Sequence, residues 1–468
     1  MLELPLELVG EVASYLQTKD LYNLSLVCSF CRHGAERSLY HTITCDLEAS
    51  SFRYNEHRLV SRLLQLIIDR PELARHVKRV VLVSFEPDYA YDWYLGMDKE
   101  LLDPARYSSF IEAAKAVGLI KADTDITQAN ERYKIQREKG ALSPSALFAR
   151  NHNDHDTWMD QWIAELLLGA LEPQIHLLLS LVPGVESIDA GPVPTSSPNL
   201  PWNIINTVPH GFKRLRRLTL RNINRPWPQL MPLLFLPTLV QAELEYLHNG
   251  ALYYTETPEM RPRPMCSVRT LYLKNNNFVT SSTVKFLSRF HKLTTLSFDG
   301  GCHFFNVQYG PEDIFMRVQQ SSSTLKYLQL IGGHFCKVPT LFFDGLQQLT
   351  VLSVSFCILE ILDEPSRRFP RSLQAFSLKF DWCSPPTFIT FSPKFCSNKL
   401  LSIAIECPEL KVISLEAKPR EPCLSPRTEL RQKFKRVTTR LDFQTLNTSD
   451  PTRVFRQLVD EFGGEKHK

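Results

Sequence analysis

The 468-residue chain contains no run of about 18 apolar residues, the length that a membrane-spanning helix requires. A membrane span is therefore not expected. It also lacks a strong surplus of one charge. Lys and Arg number 54 against 50 Asp and Glu, for a net charge of +4, too little to make a nucleic acid the main partner. A disulfide framework is missing too, because the 11 cysteines are odd in number and scattered. That usage suits a reducing compartment, so a cytoplasmic or nuclear protein is the expectation. The first residues do not form a secretory leader, since Glu3, Glu7 and Glu11 interrupt them and no basic stretch precedes an apolar run.

Signatures of catalysis are equally scarce. There is no Walker loop, no G-x-S-x-G and no G-x-G-x-x-G, so an enzyme with its own active site is disfavoured. The densest metal-like cluster is His152-Asn-Asp154-His155-Asp156. Imidazoles and carboxylates could ligate zinc or iron, but no second cluster of that density exists, and a solvated polar loop is the preferred reading. Cys28-x-x-Cys31 has no second C-x-x-C to complete a zinc site and reads as a pair of structural thiols. Neither a cofactor nor a resident metal is expected.

What the chain does have is periodicity. Hydrophobic residues make up 43% and charged residues 22% of it, values of a globular protein with a sizeable core. At the front, Pro5 suits the first turn of a helix, and Leu8, Val12 and Leu16 follow at four-residue steps as one apolar stripe. Thr18-Lys19-Asp20 breaks the pattern, with Asp20 a candidate N-cap for a second helix. Leu21, Leu24 and Cys28 share one face of that helix, with Val27 beside them, and a third helix is expected from about Phe30 to Tyr40. Three short helices leave apolar surface over, to be met by the rest of the chain or by a partner. From pattern alone, a cap on a larger domain is the simpler reading.

Leu4-Pro5-x-x-x-Leu8, Leu16, Lys19-Asp20-Leu21, Leu24-x-Leu26-Val27-Cys28 and Leu39-Tyr40 together resemble the F-box motif, as found in fungal F-box proteins. The resemblance implies helices that dock on the Skp adaptor, and through it on a cullin scaffold. By that resemblance the adaptor-binding residues are Leu4, Pro5, Leu8, Val12, Leu16, Leu21, Leu24, Val27 and Cys28. One position departs from it: Cys31 stands where the family usually places an aromatic residue, and Phe30 is one position early.

The body repeats itself. RLRRLTLRN, TLVQAELEY, SVRTLYLKN, KLTTLSFDG, TLKYLQLIG, QLTVLSVSF, SLQAFSLKF and KLLSIAIEC each fit L-x-x-L-x-L with conservative swaps, centred on Leu218, Ala242, Leu271, Leu296, Leu328, Leu352, Phe376 and Ile403. Two weaker copies surround Val80 and Ile188. Helix-like stretches such as Thr283 to Arg289 and Glu312 to Gln320 lie between. Each unit reads as strand, turn, helix, and only stacking buries its faces. The pattern resembles a leucine-rich repeat array whose asparagine ladder is reduced to Asn222 and Asn275. The expected class is therefore α/β: an F-box over 1–45, an irregular leucine-rich repeat solenoid over 46–417 with an insertion at about 87–180, and a basic helical cap over 418–468.

In such strands the Leu-type residues point inward and those between them line a concave face. That face would carry Arg217, Thr219, Arg221, Glu243, Glu245, Tyr272, Lys274, Ser297, Asp299, Tyr327, Gln329, Ser353, Ser377, Lys379 and Glu406. An unidentified protein substrate would be held mainly by Arg217, Arg221, Glu243, Glu245, Tyr272, Lys274, Asp299 and Gln329; Arg217, Arg221 and Lys274 could build a basic pocket for a phosphorylated target. The insertion holds an aromatic cluster (Tyr89, Tyr91, Trp93, Tyr94), a polar stretch from Lys121 to Lys139, and an amphipathic stretch from Trp158 to Leu171. A second loop, Glu256 to Pro264, is proline-rich and expected to be extended. The tail from Lys418 carries 12 basic against 7 acidic side chains. In it Leu430, Phe434, Val437 and Leu441 make one helical stripe amid Arg431, Lys433, Lys435, Arg436 and Arg440; Val454, Leu458 and Phe462 make another after Asp450-Pro451. A helical cap on the last repeat is the simpler reading of the tail, and a basic surface for RNA or anionic lipid, or a nuclear import signal, the sharper ones. The whole reads as a non-catalytic substrate receptor of a ubiquitin ligase. The alternatives are an adaptor-binding protein outside any ligase, a repeat scaffold that binds nucleic acid through its tail, and a metal hydrolase built on His152 and His155.

Overall fold

The structure is a computed structural model that describes residues 5–46, 57–83, 104–138, 155–167, 171–191, 208–221, 230–245, 266–276, 286–300, 318, 323–331, 343, 345–355, 369–379, 393–417, 439–445 and 452–462. The chain divides into two compact units. The first spans Met1–Asn224 with Gln229–Leu239, and the second Arg225–Pro228 with Val240–Lys468. Leu4, the aromatic cluster at Tyr89 to Tyr94, His152, Asp154, the loop Glu256 to Pro264, and Leu430, Phe434 and Val437 lie outside the described residues. Among the described residues, no helix is long and apolar enough to cross a membrane.

The first unit opens with helices α1 (Leu6–Ser14), α2 (Thr18–Val27) and α3 (Ser29–Leu39). Strand β1 (Thr42–Asp46) follows almost without a linker, so the expected module boundary at residue 45 falls inside a strand. Helix α4 (His57–Asp69) buries Val60, Leu64 and Ile67 at helical spacing. A 3-10 turn (Pro71–His76) leads into β2 (Arg79–Val83).

Four more helices then intervene: α5 (Pro104–Ala116), α6 (Ile126–Glu138), α7 (His155–Leu167) and α8 (Leu171–Leu181). They account for much of the expected insertion. Buried polar contacts tie them together. Arg132 clamps Asp160 at 2.5 and 2.6 Å, and Ser61 donates to Gln174 at 2.6 Å. Burial pushes the His176 imidazole down to about 3, so it packs neutral, edge-on, against Trp162 at 5.7 Å. Strands β3 (Ser187–Ala190) and β4 (Arg217–Leu220) complete a parallel sheet in which Ile43, Val80, Ile188 and Leu218 lie in one row. A short helix α9 (Met231–Leu234) ends this unit.

The second unit contains β5 (Gln241–Glu245), β6 (Thr270–Asn276), β7 (Thr295–Gly300), β8 (Tyr327–Ile331), β9 (Val351–Ser355) and β10 (Ala375–Lys379). Helix α10 (Pro393–Glu406), β11 (Val412–Ala417), β12 (Arg440–Thr445) and helix α11 (Arg453–Phe462) follow. All eight strands are parallel to their neighbours and paired in chain order. The register places Ala242, Leu271, Leu296, Leu328, Leu352, Phe376, Ile413 and Leu441 in one continuous row. A one-residue slip would send every leucine to the other face, so the repeated pattern pins the register. Behind that row Phe343 stacks on Phe369 at 5.7 Å, and Phe369 meets Phe376 edge-on at 5.6 Å. Hydroxyls at the strand entrances accept part of the work of an asparagine ladder: Thr294, Thr350 and Thr439 each donate to a carbonyl of the preceding repeat, as do Thr324 and Ser372.

Two assignments from sequence change here. KLLSIAIEC was read as the eighth strand, yet it lies in α10, because Leu400, Ile403 and Ala404 recur at three- and one-residue steps on a single buried helix face. The strand is the next segment, where Leu410, Ile413 and Leu415 carry the same L-x-x-L-x-L spacing. Glu406 therefore ends a helix and takes no place on the face between the leucines. Likewise Arg440 and Leu441, read as part of a helical stripe, belong to β12, where pairing with β11 outweighs local helical spacing.

Candidate functional site

Two surfaces correspond to the expected docking sites, one in each unit. In the first unit, α1, α2 and α3 close on a small core of Ala13, Leu21 and Ala35, against which Leu16, Leu24 and Leu39 pack. Pro5 caps α1 with extended backbone, and its carbonyl accepts from the amides of Leu8 and Val9. Gly34 permits the contact between α1 and α3, since a Cβ built there would lie 2.5 Å from Val9 Cγ1. The N-cap of α2 is Gln17; Asp20 sits inside the first turn, where its carboxylate still complements the helix dipole. Cys28 caps α3, its Sγ accepting from the Cys31 amide at 3.4 Å. That hydrogen bond holds the Cys28 thiol below its usual range, while contact with the Cys28 side chain raises the Cys31 thiol.

The helices leave a large apolar area in solvent. Leu6, Leu8 and Val12 project from α1 and Tyr15 from its C-cap, Tyr22, Leu26 and Val27 from α2, and Phe30 from α3; Tyr15 is 82% and Val27 71% exposed. An isolated exposed leucine is ordinary, but a clustered set of this size marks an interaction surface. The residues assigned by resemblance divide between two roles. Pro5, Leu8, Val12, Val27 and Cys28 are exposed, whereas Leu16, Leu21 and Leu24 serve the internal core. The stripe Leu8-Val12-Leu16 splits because α1 ends at Ser14 and the chain turns Leu16 inward. Leu6, Tyr15 and Tyr22 were not singled out from sequence, and Leu26 and Phe30 were named in the motif without being assigned to the adaptor. Their signal was available: they lie off the inward stripe on helices too short to bury two faces.

This face is anchored to the rest of its unit. The buried Glu36 of α3 accepts a two-pronged contact from Arg70 at 2.8 and 3.1 Å, and Arg70 also holds Glu72 at 2.8 Å. Hydrogen bonds to the two carboxylates raise the Arg70 guanidinium above its usual value. The His41 carbonyl then accepts from the amides of Lys78 and Arg79 at the start of β2.

In the second unit, the face between the leucines was expected to be open. It is covered. Gln329, Ser353 and Ser377 have no solvent exposure, and Glu243, Tyr272, Lys274 and Asp299 are buried. Helix α11 lies on this face. Val454, Phe455 and Leu458 pack with Tyr272, Tyr327, Val351, Ala375 and Val412, and Val459 and Phe462 join at the margin. Arg456 of α11 donates to Glu243 at 2.6 Å and lies 4.5 Å over the Tyr272 ring. Lys274 holds the other Glu243 oxygen at 2.8 Å. Burial alone would raise the Glu243 carboxyl; Arg456 and Lys274 beside it outweigh that and hold it below the usual carboxylate range. Beneath the helix runs a polar ladder. Ser297 donates to Gln329 at 2.6 Å, Gln329 to Ser353 at 3.2 Å, and Ser377 to Glu416 at 2.5 Å, beside a Lys379–Glu416 ion pair.

The cations expected to build a basic pocket have acidic partners or stay exposed. Arg221 pairs with Asp189, and Lys274 with Glu243; Arg217 stays exposed and Glu245 half-buried. Among the described cations of the tail, Arg440 pairs with Asp442 and Glu461 and Arg456 with Glu243, while Arg453 is exposed.

A family model described as F-box-like matches residues 1–46, the stretch that carries the exposed apolar face. No curated protein matches the chain. Residues 1–46 are thus an F-box-like domain.

Proposed function

We propose that the protein is the substrate-recognition subunit of a Skp-cullin-F-box ubiquitin ligase. F-box domains typically bind the Skp adaptor, and the observation that carries the reading is the coincidence of the F-box-like match with eight exposed apolar side chains on and beside three short helices. In this reading Leu8, Val12, Val27 and their exposed neighbours enter the adaptor, and burial of that area supplies the affinity. The remainder is an irregular leucine-rich repeat array that holds a target protein, and the in-register strand pattern supports it. The chain does no bond chemistry of its own and needs no cofactor. It raises the effective concentration of a bound target near the ubiquitin-conjugating enzyme held on the cullin scaffold, in cytoplasm or nucleus.

The test is capture of the adaptor and cullin by the full chain, set beside a Val12→Asp/Val27→Asp version. Both positions are exposed, so the variant keeps the fold and loses only the docking face. Capture of adaptor and cullin by the first chain alone supports the reading. Capture of the adaptor without a cullin would leave an adaptor-binding protein outside any ligase, and capture of neither would sink both.

A further inference from the structure

We propose that the face of the second unit covered by α11 is a receptor groove for an amphipathic helix, that α11 is its resident occupant, and that a target helix of matching pattern takes its place. The proposal rests on the target-receptor reading above and names the chemistry of the target.

The groove has a floor and an anchor. The floor is the register row Tyr327, Val351, Ala375 and Val412 of β8 to β11, with Tyr272 of β6 packed in the same cluster. Large apolar side chains of a helix fit over the small ones: Phe455 is fully buried there. The anchor is Glu243. Its carboxylate is buried, takes Lys274 on one oxygen and leaves the other for a guanidinium, which also rests on the Tyr272 ring. Arginine satisfies both demands where lysine would satisfy only the charge.

The occupant has the form of a ligand. Helix α11 has one apolar face (Val454, Phe455, Leu458, with Val459 and Phe462), while Arg453, Gln457, Asp460 and Glu461 are exposed. An apolar helix face laid into a groove, fixed by anchors at i, i+1 and i+4, is a recurring mode of peptide recognition. The target is therefore a helix with apolar residues at i, i+1 and i+4 and an arginine at i+2. Helix α11 competes with it from within, at the high effective concentration that a tether provides.

The experiment uses the full chain with a protease site placed in segment 446–451, cut after folding. Cutting removes the tether and leaves the named residues of the groove and of α11 unchanged. The probe is a fluorescent peptide of residues 448–466, followed by anisotropy, with thermal unfolding of the cut and uncut proteins recorded in parallel. Expected is exchange: the cut protein binds the peptide roughly tenfold or more tightly than the uncut one, in line with loss of the tether's effective concentration. Peptides carrying F455D or R456Q lose binding, and a groove carrying Glu243→Gln no longer distinguishes the arginine peptide from the R456Q peptide. If the cut helix stays in place and the peptide does not exchange, the proposal fails. If the cut protein loses its cooperative unfolding, α11 is an inseparable part of the core and the proposal fails as well. Adaptor capture by the same cut protein reads the F-box side separately, so failure of the groove and failure of the ligase reading remain distinct.

Discussion

The two expected docking surfaces end in opposite states. On α1 to α3, Val27 is 71% exposed among other apolar side chains; on the face between the leucines of the second unit, Gln329 is wholly buried, and α11 packs on Tyr272, Tyr327 and Val351 of that face. The first surface has apolar groups that no described residue of its own unit covers. The second has a helix from its own chain whose apolar side chains pack on its floor and whose Arg456 pairs with the buried Glu243. A surface rich in mixed side chains is therefore not a free surface until the rest of the chain has been tried against it.

That contrast can be broken at several points. The largest effect is expected from Phe455→Ala, which empties the centre of the covered surface and costs about 3–5 kcal/mol; denaturant unfolding would read the loss, and an unchanged midpoint would show that α11 contributes little. Next is Gly34→Ala on the open side. The added Cβ meets Val9, and overpacking of this kind costs roughly 1–3 kcal/mol, so both the stability of the helical module and adaptor capture should fall together. Val27→Asp should separate those two readouts. Adaptor affinity drops about tenfold or more, as for an interface anchor, while stability moves by about 0.5 kcal/mol or less, as for an exposed site; a parallel fall in stability would place Val27 in the core instead.

The gentlest probe is pH. The Glu243 carboxyl is held below its ordinary range in the folded state by Arg456 and Lys274 against the cost of burial. A depressed folded pKa contributes stability above the unfolded value and loses it as pH falls through the folded one. Seating of α11 should therefore loosen on the acid side of the ordinary carboxylate range. Hydrogen exchange of the α11 amides would show it, and Glu243→Gln should flatten the profile; identical profiles would remove the ion pair from the account.

Much of the array was legible in the chain. Val80, Ile188, Leu218, Ala242, Leu271, Leu296, Leu328, Leu352 and Phe376 all fall in strand rows, because a parallel strand buried on one side must repeat the same residue type at the same register. The eighth strand was misplaced because α10 carries apolar residues that satisfy a strand template and a helix template at once, and only the sheet beside Ile413 chooses between them. The F-box-like helices were legible as elements. Their inner and outer residues were not separable, since Leu8, Val12 and Leu16 look alike until the end of α1 turns the last of them inward.

Spacing of apolar residues along the chain determined that this protein would stack short parallel strands behind three N-terminal helices, because period and burial are local consequences of side-chain order. Which surface stayed open was decided only by tertiary structure. Phe455 lies far along the chain from Tyr272, and Arg456 from Glu243; contacts between such distant positions leave no periodic trace, and they form only when the fold brings α11 over the strands.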